Sequence, residues 1–169
     1  MVQPASELHE TALKRLKDRG VTLEEIAELV YDLQKPYLKD ISMDLCLDNV
    51  RAVIRKREVQ NAILTGIELD VLTEQGKLSS PLQEIIKEDE GLYGIDEILA
   101  LSIVNVYGSI GFTNYGYLDK LKPKVIGRLD DHTDTEHTHT FLDDIVGAIA
   151  AAAASRLAHA DPEISDVMK

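Results

Sequence analysis

Tryptophan is absent from this chain of 169 residues, cysteine occurs once, and all aromatic residues together make up 5% of it. A lone Cys46 excludes an intramolecular disulfide and predicts a reducing, cytoplasmic setting. The shortage of rings points to a core of aliphatic side chains. Basic residues are also scarce: 18 Lys and Arg stand against 30 Asp and Glu, for a net charge of -12. That balance argues against nucleic acid as a partner, whose phosphates need a basic surface, and it suits a protein that holds divalent cations. The longest apolar stretch, Ile145 to Ala154, falls short of the roughly 20 residues a membrane-spanning helix needs. Met1 is followed by polar residues rather than an apolar leader. Membrane contact is therefore expected to be peripheral at most. No internal repeat, glycine-rich phosphate loop or convincing strand alternation occurs.

What the chain does have is a concentration of small residues. Thr140 to His159 reads Thr-Phe-Leu-Asp-Asp-Ile-Val-Gly-Ala-Ile-Ala-Ala-Ala-Ala-Ala-Ser-Arg-Leu-Ala-His. Alanine is the best helix former, and side chains that stop at Cβ let neighbouring backbones come close. With 44% hydrophobic and 28% charged residues, the composition is that of one globular domain. The expected fold is all-α: a single-domain helical bundle around a central helix at about 140–159. A 6–55 segment, made of a helical hairpin and a third helix, is expected to pack on a 58–159 core. The 161–169 tail is expected to fray.

Along the chain, a first helix over 6–19 ends at Gly20. Thr22-Leu-Glu-Glu25 is a capping box for a helix to about Gln34, with Ile26, Leu29, Val30 and Leu33 on its buried face and Pro36 as its stop. Arg19 to Val30 could be a DNA-binding helix-turn-helix. Glu24 and Glu25, however, stand where a DNA reader carries Arg, Asn or Gln, so a hairpin packed on the core is expected. Ser42 caps a third helix burying Leu45, Leu47, Val50 and Ile54. At its end Arg55-Lys56-Arg57 is either a solvated turn complementing the helix dipole or a docking point for phosphate or anionic head groups.

Glu58 to Gln75 forms a long helix in which Glu58, Asn61, Thr65 and Glu68 share one polar stripe. That stripe is either a wet face or a layer behind an acidic site, and Gly66 predicts a close helix approach. Ser79 to Pro81 start a short helix. Ile95 to Tyr107, acids first and then nearly all apolar, predicts another buried helix. Gly108, Gly111 and Gly116, with Tyr115 and Tyr117 flanking the last of them, predict an irregular segment. Pro123 is placed in the first turn of a short helix through Val125, Ile126 and Leu129. Residues 130–139 read as an exposed mobile loop; its His132, His137 and His139 match no tight zinc spacing.

Two of the buried-looking helices begin with adjacent acids, Asp96-Glu97 and Asp143-Asp144, and Asp119 precedes Lys120 and Lys122. Hard divalent cations take a few carboxylate oxygens and keep water and substrate phosphate as other ligands. Lysines supply charge to phosphate oxygens. These ingredients suit metal-assisted phosphate chemistry. They also fit simple capping, because Thr140-Phe-Leu-Asp143 is itself a capping box and acids favour helix N-termini. Asp144 is not explained that way.

Taken in order, Asp96-Glu97-Ile-Leu-Ala100, Asp119-Lys-Leu-Lys122-Pro123 and Asp143-Asp144-Ile-Val-Gly-Ala148-Ile-Ala150 resemble the phosphatidylglycerophosphatase A family. The chain resembles in particular its soluble Firmicute branch, the low-temperature-requirement C proteins. The resemblance covers roughly Glu58 to Leu157. It implies Mg²⁺-dependent removal of the terminal phosphate from phosphatidylglycerophosphate. Glu97, Asp143 and Asp144 would then hold Mg²⁺ (or another hard divalent cation), with Asp96 and Asp119 as ligand, base or support, and Lys122 on phosphate oxygens. The implied substrate is a phosphorylated lipid or small phosphomonoester. A homo-oligomer is expected from the small-residue helices and Gly66.

Three departures stand out. The family carries an arginine where this chain has Gly116, and its Pro-Gly-Thr segment has only Thr65-Gly66 as a counterpart. The membrane-spanning helices of other members are missing. Lys120 and Arg128 are the cations available in place of the arginine. The departures favour a second reading, a non-catalytic interaction protein that keeps the family fold.

Overall fold

The structure, a computed structural model, describes residues 5–160. Among these residues no strand occurs. The helices are α1 (Ala5–Asp18), α2 (Leu23–Gln34), α3 (Met43–Ile54), α4 (Arg57–Glu74), α5 (Leu82–Lys87), α6 (Ile95–Val104), α7 (Gly108–Leu121), α8 (Val125–Leu129) and α9 (Leu142–Ala160). A single 3-10 turn, Asn105–Tyr107, joins α6 to α7.

The alanine-rich helix is the axis of an all-α single domain. Every residue of α9 from Leu142 to Ser155 is buried. Helices α2, α3, α4, α6, α7 and α8 all pack on it, and α1 packs on α4. Small side chains make this crowding feasible on both sides of a contact. A Cβ at Gly66 of α4 would lie 2.3 Å from Ile145 Cδ1 and 3.0 Å from Phe141 Cβ, so Gly66 serves contact inside the chain.

Two expected caps are present. Thr22 and Glu25 exchange their bonds as a capping box at α2, and the Ser42 hydroxyl accepts from the Leu45 amide at α3. Gly20 takes a left-handed φ of +76° between α1 and α2.

Several expectations are corrected. In α3 the buried face runs through Cys46, Asn49, Val50, Val53 and Ile54, while Leu45 is exposed and Leu47 half-buried. Leu33 of α2 is likewise only half-buried. Of the two readings open for the polar stripe of α4, the wet face is the one found: Glu68 pairs with Arg15 of α1, and the Thr65 hydroxyl bonds back to the Asn61 carbonyl. The segment from Gly108 is the helix α7 rather than irregular chain. Gly111 sits inside it because Val104 closes over that position, 3.0 Å from where a Cβ would be. Pro123 lies outside α8, which begins at Val125. Helix α6 is apolar but not buried all round, since Ile95 and Ile98 face outward. The 161–169 tail lies outside the described residues.

Helix α6 starts near the head of α9, where Asp96 acts electrostatically on Asp144. At the other end of α9, the Ser155 hydroxyl donates to the carbonyl of Tyr107 in the 3-10 turn (2.8 Å). Helix α7 then ends back at the head of α9, with Lys122 against Asp143. So α6 and α7 run along α9 in opposite directions, which brings the start of α6 and the end of α7 to the same end of the bundle.

Candidate active site

The site begins with the way α9 is capped. Asp70 of α4 is fully buried and accepts the Phe141 amide at 3.1 Å and the Leu142 amide at 3.0 Å. This carboxylate from a distant helix satisfies amides that the helix itself cannot. Thr140 instead donates its hydroxyl to the Ile86 carbonyl at 2.7 Å. The capping box expected of Thr140 and Asp143 is therefore not formed, and the Asp143 carboxylate turns elsewhere.

It turns to Lys122. The ammonium Nζ of Lys122 lies 2.8 Å from Asp143 Oδ2, 2.9 Å from Asp119 Oδ1 and 3.5 Å from Asp144 Oδ1. Lys122 ends α7 in the left-handed region (φ +46°), which swings its side chain back over the head of α9. Gly127 of α8 makes room for that turn: a Cβ there would lie 2.4 Å from the Lys122 carbonyl oxygen. Asp143 and Asp144 are buried, at 4% and 5% exposure, whereas Asp119 and Lys122 remain reachable from solvent.

The electrostatics follow from this packing. Burial raises the pKa of both Asp143 and Asp144, and the charge of Asp143 raises Asp144 further, while Lys122 opposes the rise. Burial also pulls the Lys122 pKa down, but Asp143, Asp119 and Asp144 together lift it well above the ordinary lysine range. One fixed cation is thus shared by three acids, two of which burial pushes towards the protonated form.

Two buried polar atoms beside it have no hydrogen-bond partner: Asp96 Oδ1 and the Tyr115 hydroxyl. Burial, and then the charges of Asp144, Asp119, Glu97 and Asp143, push the Tyr115 pKa far up and hold it as a donor. Glu97 is exposed at the start of α6 and meets the cluster through its field on Tyr115. Asp96 is the buried member of that pair, and its charge acts on Asp144. The structure therefore gathers Asp96, Asp119, Lys122, Asp143 and Asp144 at one end of the bundle, with Glu97 at the rim.

A second group adjoins the first. Asp89, Asp130 and His132 each offer one ligand atom, all within 4.8 Å of one another. Asp89 and Asp130 both act on Asp143. This group opens on a cavity of about 290 Å³ that Lys87, His139 and Thr140 also line. Of the three loop histidines, His137 and His139 stack their rings, with centroids 5.9 Å apart, while His137 also bonds Asp134 at 2.8 Å and His139 stands against Arg19. The end of the loop is fixed by Arg19, which pairs with Glu74 and donates to the Thr138 carbonyl.

Asp70, Asp89, Asp130 and Tyr115 were not singled out from the sequence. Tyr115 had a usable signal, because it precedes Asp119 by four residues and so shares its helix face; reading 108–121 as irregular hid it. Asp70, Asp89 and Asp130 reach the site from elsewhere in the fold.

The sequence profile of the family described as Phosphatidylglycerophosphatase A matches residues 16–159. The uncharacterized protein YutG of Bacillus subtilis (strain 168) is 64% identical over 154 residues, which is 91% of this chain and 92% of that protein. The solved structure of the low temperature requirement C protein from Listeria monocytogenes matches with a TM-score of 0.88 at 64% identity, covering 90% of this chain and 96% of that one. A protein of unknown function from Bacillus stearothermophilus matches with a TM-score of 0.87 at 66% identity, covering 90% and 94%.

Proposed function

The chain belongs to the phosphatidylglycerophosphatase A family, and we propose that it is a divalent-cation-dependent phosphomonoester hydrolase that removes the terminal phosphate of phosphatidylglycerophosphate. The observation that carries this reading is the convergence of Asp119, Asp143 and Asp144 on the Lys122 ammonium at the head of a buried helix. The donor set fits a hard cation: it is all oxygen, and Asp96 Oδ1 beside it is buried without a partner. Asp143, Asp144 and Glu97 would hold the ion, with Asp96 adjoining. Bound Mg²⁺ supplies Lewis-acid polarisation of the phosphate and a more acidic water.

The remaining work falls to the chain. Lys122, kept charged by its acids, pairs with phosphate oxygens, and Asp119 aims it. Tyr115, kept protonated, donates a hydrogen bond into the same space. Asp96 Oδ1 is the free acceptor for the proton of an attacking water. The proposed setting is the cytoplasm, with peripheral contact at the membrane that holds the lipid.

One observation favours the rival, a non-catalytic protein of the same fold. Gly116 is exposed, with nothing within 4 Å of an added Cβ, so the arginine implied by the resemblance has room there and no replacement at that position. Phosphate release from phosphatidylglycerophosphate and from small phosphomonoesters, measured in Mg²⁺ and in EDTA, separates the two. The expected outcome is release of lipid phosphate in Mg²⁺ only. Absence of release from every substrate would leave the rival.

A further inference from the structure

No charged side chain occurs between Glu97 and Asp119, in a protein that is 28% charged. Helix α6, the 3-10 turn and α7 make up this stretch. The expectation that Ile145 to Ala154 is the longest apolar stretch is corrected here: the run Ile95–Leu121 is, by length and composition, apolar enough to cross a membrane, yet the two helices lie along α9 as a hairpin. Much of its outer face remains uncovered. Ile98 is 60% exposed, Tyr117 56%, Leu121 55% and Phe112 41%, with Ile95 and Val106 also open. Depletion of charge around exposed aliphatic and aromatic side chains is the compositional mark of an interface core.

The two ends of the face carry opposite charge. At the 3-10 turn, the Lys56 ammonium lies 5.5 Å from the centre of the Tyr107 ring, and Arg55 and Arg57 beside it are exposed, against the single acid Glu58. At the other end stand exposed Glu88, Glu90 and Glu97 and the acids of the site, which outnumber the exposed Lys87 and Lys120 beside them. A surface with one basic and one acidic end matches itself when a second copy is turned by a two-fold axis, because each basic end then meets an acidic one. An anionic membrane would be attracted at one end and repelled at the other, by a protein of net charge -12.

We propose that the α6–α7 face is the two-fold interface of a homodimer, with Arg55–Arg57 of each copy set against the acidic end of its partner. This assignment moves the basis of the expected self-association: Gly66 and the alanine-rich helix are consumed inside each chain, and the exposed hairpin takes their place.

Sedimentation velocity on the full chain tests it. The wild type is expected to run as a dimer at tens of micromolar. Ile98→Asp and Phe112→Asp, read separately, are each expected to weaken the dimer about tenfold or more with helicity retained. Arg55→Glu combined with Arg57→Glu is expected to weaken it without touching the apolar face. Should either aspartate variant lose helicity, Ile98→Ser and Phe112→Ser give the same reading. A monomeric wild type overturns the proposal, as does a dimer indifferent to every one of these changes. A monomer that co-sediments with phosphatidylglycerol-containing vesicles overturns it in favour of a lipid surface.

Discussion

Lys122 is placed by its backbone as much as by its partners. Its left-handed φ leaves a carbonyl that only a glycine at 127 can approach. Gly127→Ala should therefore displace the ammonium rather than remove it. Phosphate release is expected to fall by about tenfold to a hundredfold, with circular dichroism showing the same helix content. His139 gives a test by pH. Burial, and then the neighbouring Arg19 charge, lower its pKa from 6.5 to about 4, while Glu74 and Asp134 pull the other way and His137 adds to the lowering. Between those values the unfolded chain binds a proton that the folded chain does not, so stability rises with pH across the window. The His139 contribution is thus intact above about pH 6.5 and lost as pH falls towards 4. Urea midpoints at pH 7 and pH 5 are expected to lie closer together in His139→Asn than in the wild type. At this scale the sequence is an uneven guide. Adjacent acids announce Asp143 and Asp144, but the freedom of Asp143 depends on Asp70, 73 positions earlier, taking over the cap. No local pattern carries that.

The elements were legible where chemistry punctuates them. Thr22, Glu25 and Ser42 mark helix starts through bonds that do form. The density of alanine marks the axis because nothing larger fits: Ala148 to Ala154 are all fully buried, with Ile149 alone among them branched. Ala151→Leu should force α9 away from its neighbours, at a cost of about 1–3 kcal/mol from overpacking, read as a lower denaturant midpoint. Elements were misread where composition and surroundings disagree. Glycine at 108, 111 and 116 reads as irregular chain, yet Gly111 is helical because Val104 packs over it. Helix α6 reads as buried because it is apolar, although only Asp96, Ala100, Ile103 and Val104 are covered within the chain. Periodicity tells which residues share a face; it does not tell which face has a neighbour.

The whole molecule joins these scales. A helix of small side chains admits six neighbours, and two of them, α6 and α7, carry acids and a lysine from well-separated stretches to the same end. The order of motifs along the chain foreshadowed this meeting and the all-α fold. The adjoining Asp89, Asp130 and His132 group arises only from tertiary packing of loops. The account stands most directly on the carboxylate of Asp144, buried at the head of α9. Its decisive measurement is the rate of Mg²⁺-dependent phosphate release from phosphatidylglycerophosphate by Asp144→Asn beside the wild type, with circular dichroism on both. Loss of turnover at unchanged helicity is the predicted result; a variant as active as the wild type would contradict the assignment of this cluster to catalysis.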